Sequence, residues 1–350
     1  MRHIHLKKLL LPALAAMILS SCVQVGAEGA SSDAVVLAPV AAAVTKGAVD
    51  GTAFPAGRTL KVAAYYNSDR GNSGTYFTNT TFAQSSSTWV GGTTAAPNPK
   101  YWPKNGTLDI LAYSADGLVP ARLDYVPAYR AKVSEGVTLA VDDNSAVQCD
   151  ILWGAAAAQS RIPSGNPLLM RHACALVAFT AWSTVSYDAA RNRGVTVTSI
   201  TLDGAFYAGT LVVDATAPTG GSCTWSGLSA QHDVALPSLA GALALPYRVP
   251  ATPVSVADDG CHMGLGGAGI LVPEQGQTSF TVRYTLHNGF KADGTTPLDN
   301  DLSYTFHCDG DAMWEEGLKY VYEICFNLRE ITVTPSVYDW TTNAVVTPVP

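Results

Sequence analysis

An all-β protein of two tandem antiparallel β-sandwiches is what this 350-residue sequence predicts. Three observations carry the expectation. Apolar residues recur with a period of two in several segments, which is strand periodicity. Turn formers are dense, with 31 glycines and 20 prolines. No stretch shows an amphipathic helical pattern of useful length, and short strands separated by many turns indicate sandwiches.

Residues 1–21 read as a signal peptide. Arg2, Lys7 and Lys8 form a positive start, and the apolar run over 9–19 is too short for a stable membrane span. The run closes on Leu19-Ser20-Ser21-Cys22. This resembles the bacterial lipobox, in which an apolar residue and two small ones precede a cysteine that receives lipid. Cys22 is the expected lipidation site and the first mature residue, and its acyl (palmitate) chains tie the protein to the outer membrane without spanning it.

Residues 22–53 are rich in Ala, Val, Gly and Ser with little charge and read as a tether holding one candidate strand over 34–44. From Leu60 the pattern sharpens: Leu60, Val62, Ala64 and Tyr66 alternate with Lys61, Ala63 and Tyr65, as in a half-buried strand. Residues 67–100 are polar loops with aromatic anchors Tyr76, Phe77 and Trp89. Residues 108–113 form a buried strand closed by the turn Ala115-Asp116-Gly117. Residues 168–182 are nearly all apolar, and their Val and Phe content favours strand. Residues 184–193 are polar without apolar period and are the expected linker, so the sandwiches span 54–186 and 187–350. Beyond it, apolar runs over 195–202 and 205–213 flank Asp203-Gly204, a tight-hairpin signal. Phe280, Val282, Tyr284 and Leu286, and later Tyr320, Tyr322, Ile324, Phe326 and Leu328, each alternate with polar residues, implying sheets with one wet face.

Composition narrows the function. About 330 residues remain after the signal peptide, comfortable for two domains of ~100–200 residues. A net charge of −7 with 14% charged residues gives no basic field, which speaks against nucleic acid as a partner. Beyond Cys22 stand Cys149, Cys174, Cys223, Cys261, Cys308 and Cys325, an even set that permits one or two disulfides in an exported chain. Cys174 and Cys325, within apolar runs, read as buried thiols.

Motifs for chemistry are sparse. No CxxC pair supports a zinc or thioredoxin-like site. The histidines lack ligand spacing, and His307-Cys308-Asp309 with Asp311 reads as a polar strand end and turn rather than a metal site. Gly264-Leu265-Gly266-Gly267-Ala268-Gly269 is followed by a strand-like Ile270-Leu271-Val272 where a dinucleotide loop needs a helix, so it reads as a loop. No GxSxG elbow is present. No cofactor and no enzymatic activity are expected.

Ordered landmarks carry a resemblance. They are Phe54-Pro55-Ala56-Gly57-Arg58 leading into residues 60–65, Tyr101-Trp102-Pro103, Cys149-Asp150-Ile151-Leu152-Trp153-Gly154, and His172-Ala173-Cys174. They continue through Ile200-Thr201-Leu202, Pro273-Glu274-Gln275, Trp314-Glu315-Glu316-Gly317 and Val337-Tyr338-Asp339-Trp340. Together they resemble the fimbrillin family, the minor-fimbrillin-like branch of Bacteroidales whose members build type V pili. The resemblance implies two transthyretin-like sandwiches, no catalytic residues, and polymerisation by strand exchange with other fimbrillin subunits. A protease trims the N-terminal strand after a basic residue, and a neighbour's strand fills the groove, a form of β-augmentation. Lys46 and Arg58 are the only basic residues between Cys22 and Lys61 and so the candidate cleavage points, with Lys46 favoured by its place just after the removable segment. The implied location is the outer membrane and the fimbrium at the cell surface, with a host or bacterial surface ligand. Trp102, Trp153, Trp314 and Trp340 read as core, and His172 as a core residue. Pro348 and Pro350 disfavour a long C-terminal donor strand, leaving tip, accessory and anchor roles open. The rival reading is a surface glycan binder outside any pilus, stacking sugars on Trp89 or Trp225; a hydrolase with an unrecognised site is a third.

Overall fold

The fold is given by a computed structural model that describes residues 33–41, 58–69, 73–93, 95–114, 124–128, 132–138, 151–214, 221–236, 247–249, 251, 269–308, 311–327, 331–339 and 345–346. The signal peptide, Cys22, Lys46, the 115–117 turn, Cys149, Cys261, Asp309 and Trp340 lie outside the described residues. All regular structure among the described residues is strand.

The first seven-stranded unit is a closed barrel. Its members are β1 (Val36–Ala41), β2 (Leu60–Asn67), β3 (Gly74–Ser85), β4 (Thr88–Gly91), β5 (Thr107–Ser114), β8 (Leu152–Gln159) and β9 (Asn166–His172), in the order β1-β4-β3-β2-β5-β8-β9. Ring closure is made by β1, antiparallel to β4 and parallel to β9. The alternation read in the sequence decides what fills the barrel: Leu60, Val62 and Ala64 from β2, Leu108, Ile110 and Ala112 from β5, and Leu168 and Met170 from β9 share one core with Leu37, Phe82 and Trp89. Residues of opposite parity are not all wet: Pro167 and Leu169 of β9 are exposed, but others are covered. Ala63, Leu111, Tyr113, Trp153 and Ala155 face outward into a second apolar cluster shared with the rest of the chain. Because both faces of β5 are covered, it reads as a continuous apolar run.

Two further sheets form a sandwich. One has the order β14 (Ile270–Val272), β10 (Ala175–Ser183), β19 (Leu318–Phe326), β20 (Ile331–Asp339), β21 (Val345–Val346). The other has the order β17 (Pro297–Phe306), β16 (Phe280–Phe290), β11 (Arg193–Asp214), β7 (Lys132–Thr138), β6 (Asp124–Ala128), with β12 (Ser222–Ala235) and β13 (Tyr247–Arg248) also paired to β11. A short ladder joins β15 (Gln275–Gly276) to β18 (Met313–Trp314). Between the sheets lie Phe179, Tyr207, Phe280, Trp314 and Tyr322. Phe179 meets Phe280 edge to face at 4.8 Å between ring centres, a favourable quadrupole arrangement. Trp314 Nε1 donates to the Tyr322 hydroxyl at 3.0 Å, which in turn donates to Gln277 Oε1 at 2.9 Å, so these two buried polar ends are satisfied.

The all-β expectation matches the fold, and four local expectations change. The apolar run over 168–182 is two strands, β9 and β10, separated at Ala173-Cys174, where the chain passes from barrel to sandwich. Residues 184–193, expected as a linker, instead join β10 to β11 across one core, with Arg193 already the first residue of β11. Their polarity serves a tight turn: Asp188 and Arg193 exchange backbone bonds at 2.8 and 3.0 Å, and Asn192 Nδ2 donates to Gly289 O and Asp299 Oδ1, both at 2.8 Å. Asp203-Gly204 is a bulge inside β11 rather than a hairpin turn. Gly204 takes φ +64° while its N–H donates to Asp233 Oδ1, so the strand bends and continues. On β19 the supposed wet face is covered at its start, for Lys319 and Val321 are as buried as Tyr320. Two strand pairs, β1 with β9 and β10 with β19, are parallel within a mostly antiparallel fold.

The four described cysteines beyond the tether, Cys174, Cys223, Cys308 and Cys325, are free thiols, so none of the permitted disulfides forms among them. Cys174 is fully buried and Cys325 only partly. Of the His307 cluster, Cys308 turns toward the core and offers its thiol to the Tyr322 hydroxyl at 3.6 Å and His307 is exposed, while Asp309 lies outside the described residues. Phe179→Ala should lower unfolding stability by about 3–5 kcal/mol, the cost of an aromatic truncation at a closed site, read from the midpoint shift in a denaturant titration.

Candidate functional site

The feature on which assembly chemistry can act is β1 and the slot it fills. Val35, Leu37 and Pro39 alternate inward, as the pleat requires, and all three are buried. Full burial of an aliphatic side chain such as Val or Leu contributes about 1.5–3 kcal/mol. Backbone pairing holds the strand on both sides, with Val36 and Leu37 against Val90 and Trp89 of β4, and residues Leu37 to Ala41 against Asn166 to Met170 of β9. Just upstream, residues 100–102 clasp the entering chain: Val35 N–H donates to Lys100 O at 2.6 Å and Trp102 N–H to Asp33 O at 2.8 Å. The Tyr76 hydroxyl braces this clasp by donating to Tyr101 O at 2.9 Å. The Asp33–Arg161 pair, at 3.7 Å and exposed, adds little. Gly165, at φ +102°, lies where an added Cβ would come within 3.3 Å of Ala38, so the β9 entrance is shaped to the strand.

Taking β1 away would leave β4 and β9 with unpaired backbone edges, and Trp89, Leu168 and Met170 beneath them without cover. That is an apolar groove with an open hydrogen-bonding rim, the two components a strand-accepting site needs. Of the sequence-derived positions, the 34–44 candidate strand contains β1, and its residues 42–44 lie outside the described residues. Arg58 sits immediately before β2, its carbonyl accepting from Trp89 Nε1 at 3.4 Å. Of the two tryptophans the rival reading requires, Trp89 is too buried to stack a surface sugar, and Trp225 is half-buried. Trp89 lies in the barrel core, and Trp225 is tucked into the joint, its Nε1 donating to Ala173 O at 2.6 Å. Trp153 and Trp314 are core residues as expected, and His172 is buried.

A second assembly of groups was not legible in the sequence. Where the chain crosses from barrel to sandwich, Ala173 N–H donates to Ile151 O at 2.9 Å and Gly317 N–H to Cys174 O at 3.0 Å. Glu316 is inserted here, with one carboxylate oxygen buried and unpartnered. Burial pushes its pKa up to about 7; the nearby Glu274 adds to the rise, while a hydrogen bond from the Cys223 thiol and the Arg171 charge oppose it. Cys223 is itself pushed up, first by burial and then by Glu316. The Trp314-Glu315-Glu316-Gly317 landmark thus marks the joint, a role that spacing alone does not disclose.

The fimbrillin-like family model matches residues 45–340. The chain belongs to the fimbrillin-like family. Among solved structures, a fimbrial protein from Bacteroides vulgatus superposes with a TM-score of 0.54 at 14% identity, covering 80% of this chain and 92% of the other. A candidate cell adhesion protein from Bacteroides ovatus gives 0.52 at 14% identity, covering 89% and 99%. At such identities these likenesses concern the fold. The comparison with curated proteins gave no match. As a fimbrillin-like protein the chain is a fimbrial, cell-surface component of a structural family, and other fimbrillin subunits are its natural associates.

A pH dependence follows from Glu316. Its folded pKa lies above the unfolded value near 4.3, so the folded form holds an extra proton between these limits. The associated stability is complete below pH ~4 and is lost as pH rises through about 7. Melting temperatures at pH 5, 6.5 and 8 should show wild type losing ground to Glu316→Gln as pH rises, with other titrating groups common to both. An unchanged difference across that range would refute the assignment.

Proposed function

We propose that this protein is a structural and adhesive subunit of a type V pilus, of the tip or accessory kind, matured by removal of β1 and assembled by strand exchange. The observation that carries the reading is that one short apolar strand closes the barrel while lying at the N-terminal end of the described fold, where a single upstream cut frees it. Lipid on Cys22 would hold the precursor at the outer membrane. A cut after Lys46, with or without a further cut after Arg58, would then release both the anchor and β1 and open the groove to a neighbour's strand. Family membership, the buried Val35-x-Leu37-x-Pro39 pattern and the match of the family model beginning only at residue 45 all support this order. The body falls into two domains dividing at residues 173–174, the barrel accepting the strand and the sandwich carrying it onward.

Protein recovered from the native cell surface, separated into monomer and polymer and subjected to N-terminal sequencing and intact mass, tests this. Polymer should begin at Gly47 or Thr59, with acylated Cys22 confined to monomer. Polymer whose subunits all retain Cys22 and β1 would defeat strand exchange.

A further inference from the structure

Trp89 is bound to both ends of the removable segment. Its backbone pairs with Leu37 in the β1–β4 ladder, and its indole, 4% exposed, donates to the carbonyl oxygen of Arg58. That oxygen belongs to the peptide bond a trimming protease would have to polarise, and an oxygen already accepting an indole N–H must be released before it can enter an oxyanion hole. Downstream the bond is held equally firmly. Leu60 is fully buried and pairs with Phe82, while Lys61 pairs with Thr81 and Tyr113 and donates from Nζ to Thr81 Oγ1 at 2.7 Å. Proteases cleave extended segments, so cutting after Arg58 requires this stretch to open locally. Trp89 is one group that holds it, and the strand paired with Trp89 in the same core is β1.

We infer that the Arg58–Thr59 bond is a latent processing site, closed while β1 is seated and opened by its departure, with Trp89 coupling the two. The inference rests on β1 being the removable strand. Hydrolysis there adds water across the C–N bond, leaving a carboxylate on Arg58 and an ammonium group on Thr59. It is therefore a second cut, made after an upstream cut has let β1 leave, and it trims residues 47–58 from the body.

An arginine-specific endoprotease added to the full-length chain reads the site directly, with new N-termini quantified by mass spectrometry. The cut after Arg191, whose side chain is 78% exposed, serves as internal reference. In wild type, Arg58 should be cut far more slowly than Arg191. Leu37→Asp, which unseats β1, should raise the Arg58-to-Arg191 ratio about tenfold or more. Trp89→Phe, which keeps an aromatic ring, though a smaller one, and removes the N–H, should raise it several-fold, the scale of one lost hydrogen bond. Absence of cuts after Arg171, between two strands of the barrel, certifies that each variant remains folded. A wild-type Arg58 cut as fast as Arg191, or a ratio unmoved in both folded variants, would overturn the inference. Guarded Arg58 in a protein that never polymerises would uphold the coupling and remove the pilus reading; polymer from a protein with unguarded Arg58 would do the reverse.

Discussion

Closure of the barrel by one strand is the constraint from which the rest of the structure follows. A sheet edge presents unpaired N–H and C=O groups, and a barrel removes its edges only while every strand is in place. Here the closing strand is short, contacts β4 through two register pairs, and meets β9 in the less stable parallel arrangement. Its register is nonetheless fixed, because a slip by one residue would turn Val35, Leu37 and Pro39 outward and put Val36 and Ala38 in the core. The barrel core is thus arranged around a strand whose covalent link to the body lies on one side only.

The joint sets how this barrel is carried. Bonds from Ile151, Trp225 and Gly317 hold both residues of the crossover, and β7, encoded between two barrel strands, pairs with β11 along residues Ala208 to Asp214. The outward faces of β5 and β8 supply apolar area to the same junction. A chain threaded back and forth across the boundary resists relative motion of its halves better than a single connection would, a property suited to a component that bears load. Glu316 places a protonatable group in that junction, so the same contacts carry a cost when the carboxyl ionises.

Much of this was legible from the amino acids. Alternation found β2, β16 and β19, and the apolar 34–44 segment disclosed β1. What escaped has physical causes. Period-two reasoning assumes one dry face, but β5 and the start of β19 are covered on both sides, and Lys319 is buried where the pattern places a wet position. Asp203-Gly204 favours a tight turn, but an Asp-Gly pair also suits a bulge when, as here, Asp233 across the ladder binds the glycine N–H. Polarity over 184–192 marks a turn capped by Asn192, and composition does not separate such a turn from a linker. The Glu316 cluster draws on residues from distant parts of the chain and exists only after folding.

On the proposed strand-exchange reading, the strength of β1 in its slot and the need for a protease to remove it are two aspects of one physical fact. A segment tethered to its own groove acts at an effective concentration in the millimolar range or above, so a neighbour's strand with equal contacts competes poorly against it. Weakening β1 by substitution would ease exchange, but would also expose Trp89, Leu168 and Met170 in a newly made subunit and invite pairing with any passing strand. Cleavage would separate the two requirements. Before such a cut the tether would favour the resident strand and keep the groove closed; after it, both strands would be intermolecular competitors, and the one held by a neighbouring subunit would gain the advantage of local concentration. Trp89, touching β1 through its backbone and Arg58 through its indole, stands where that change of state is felt on both sides of the tether.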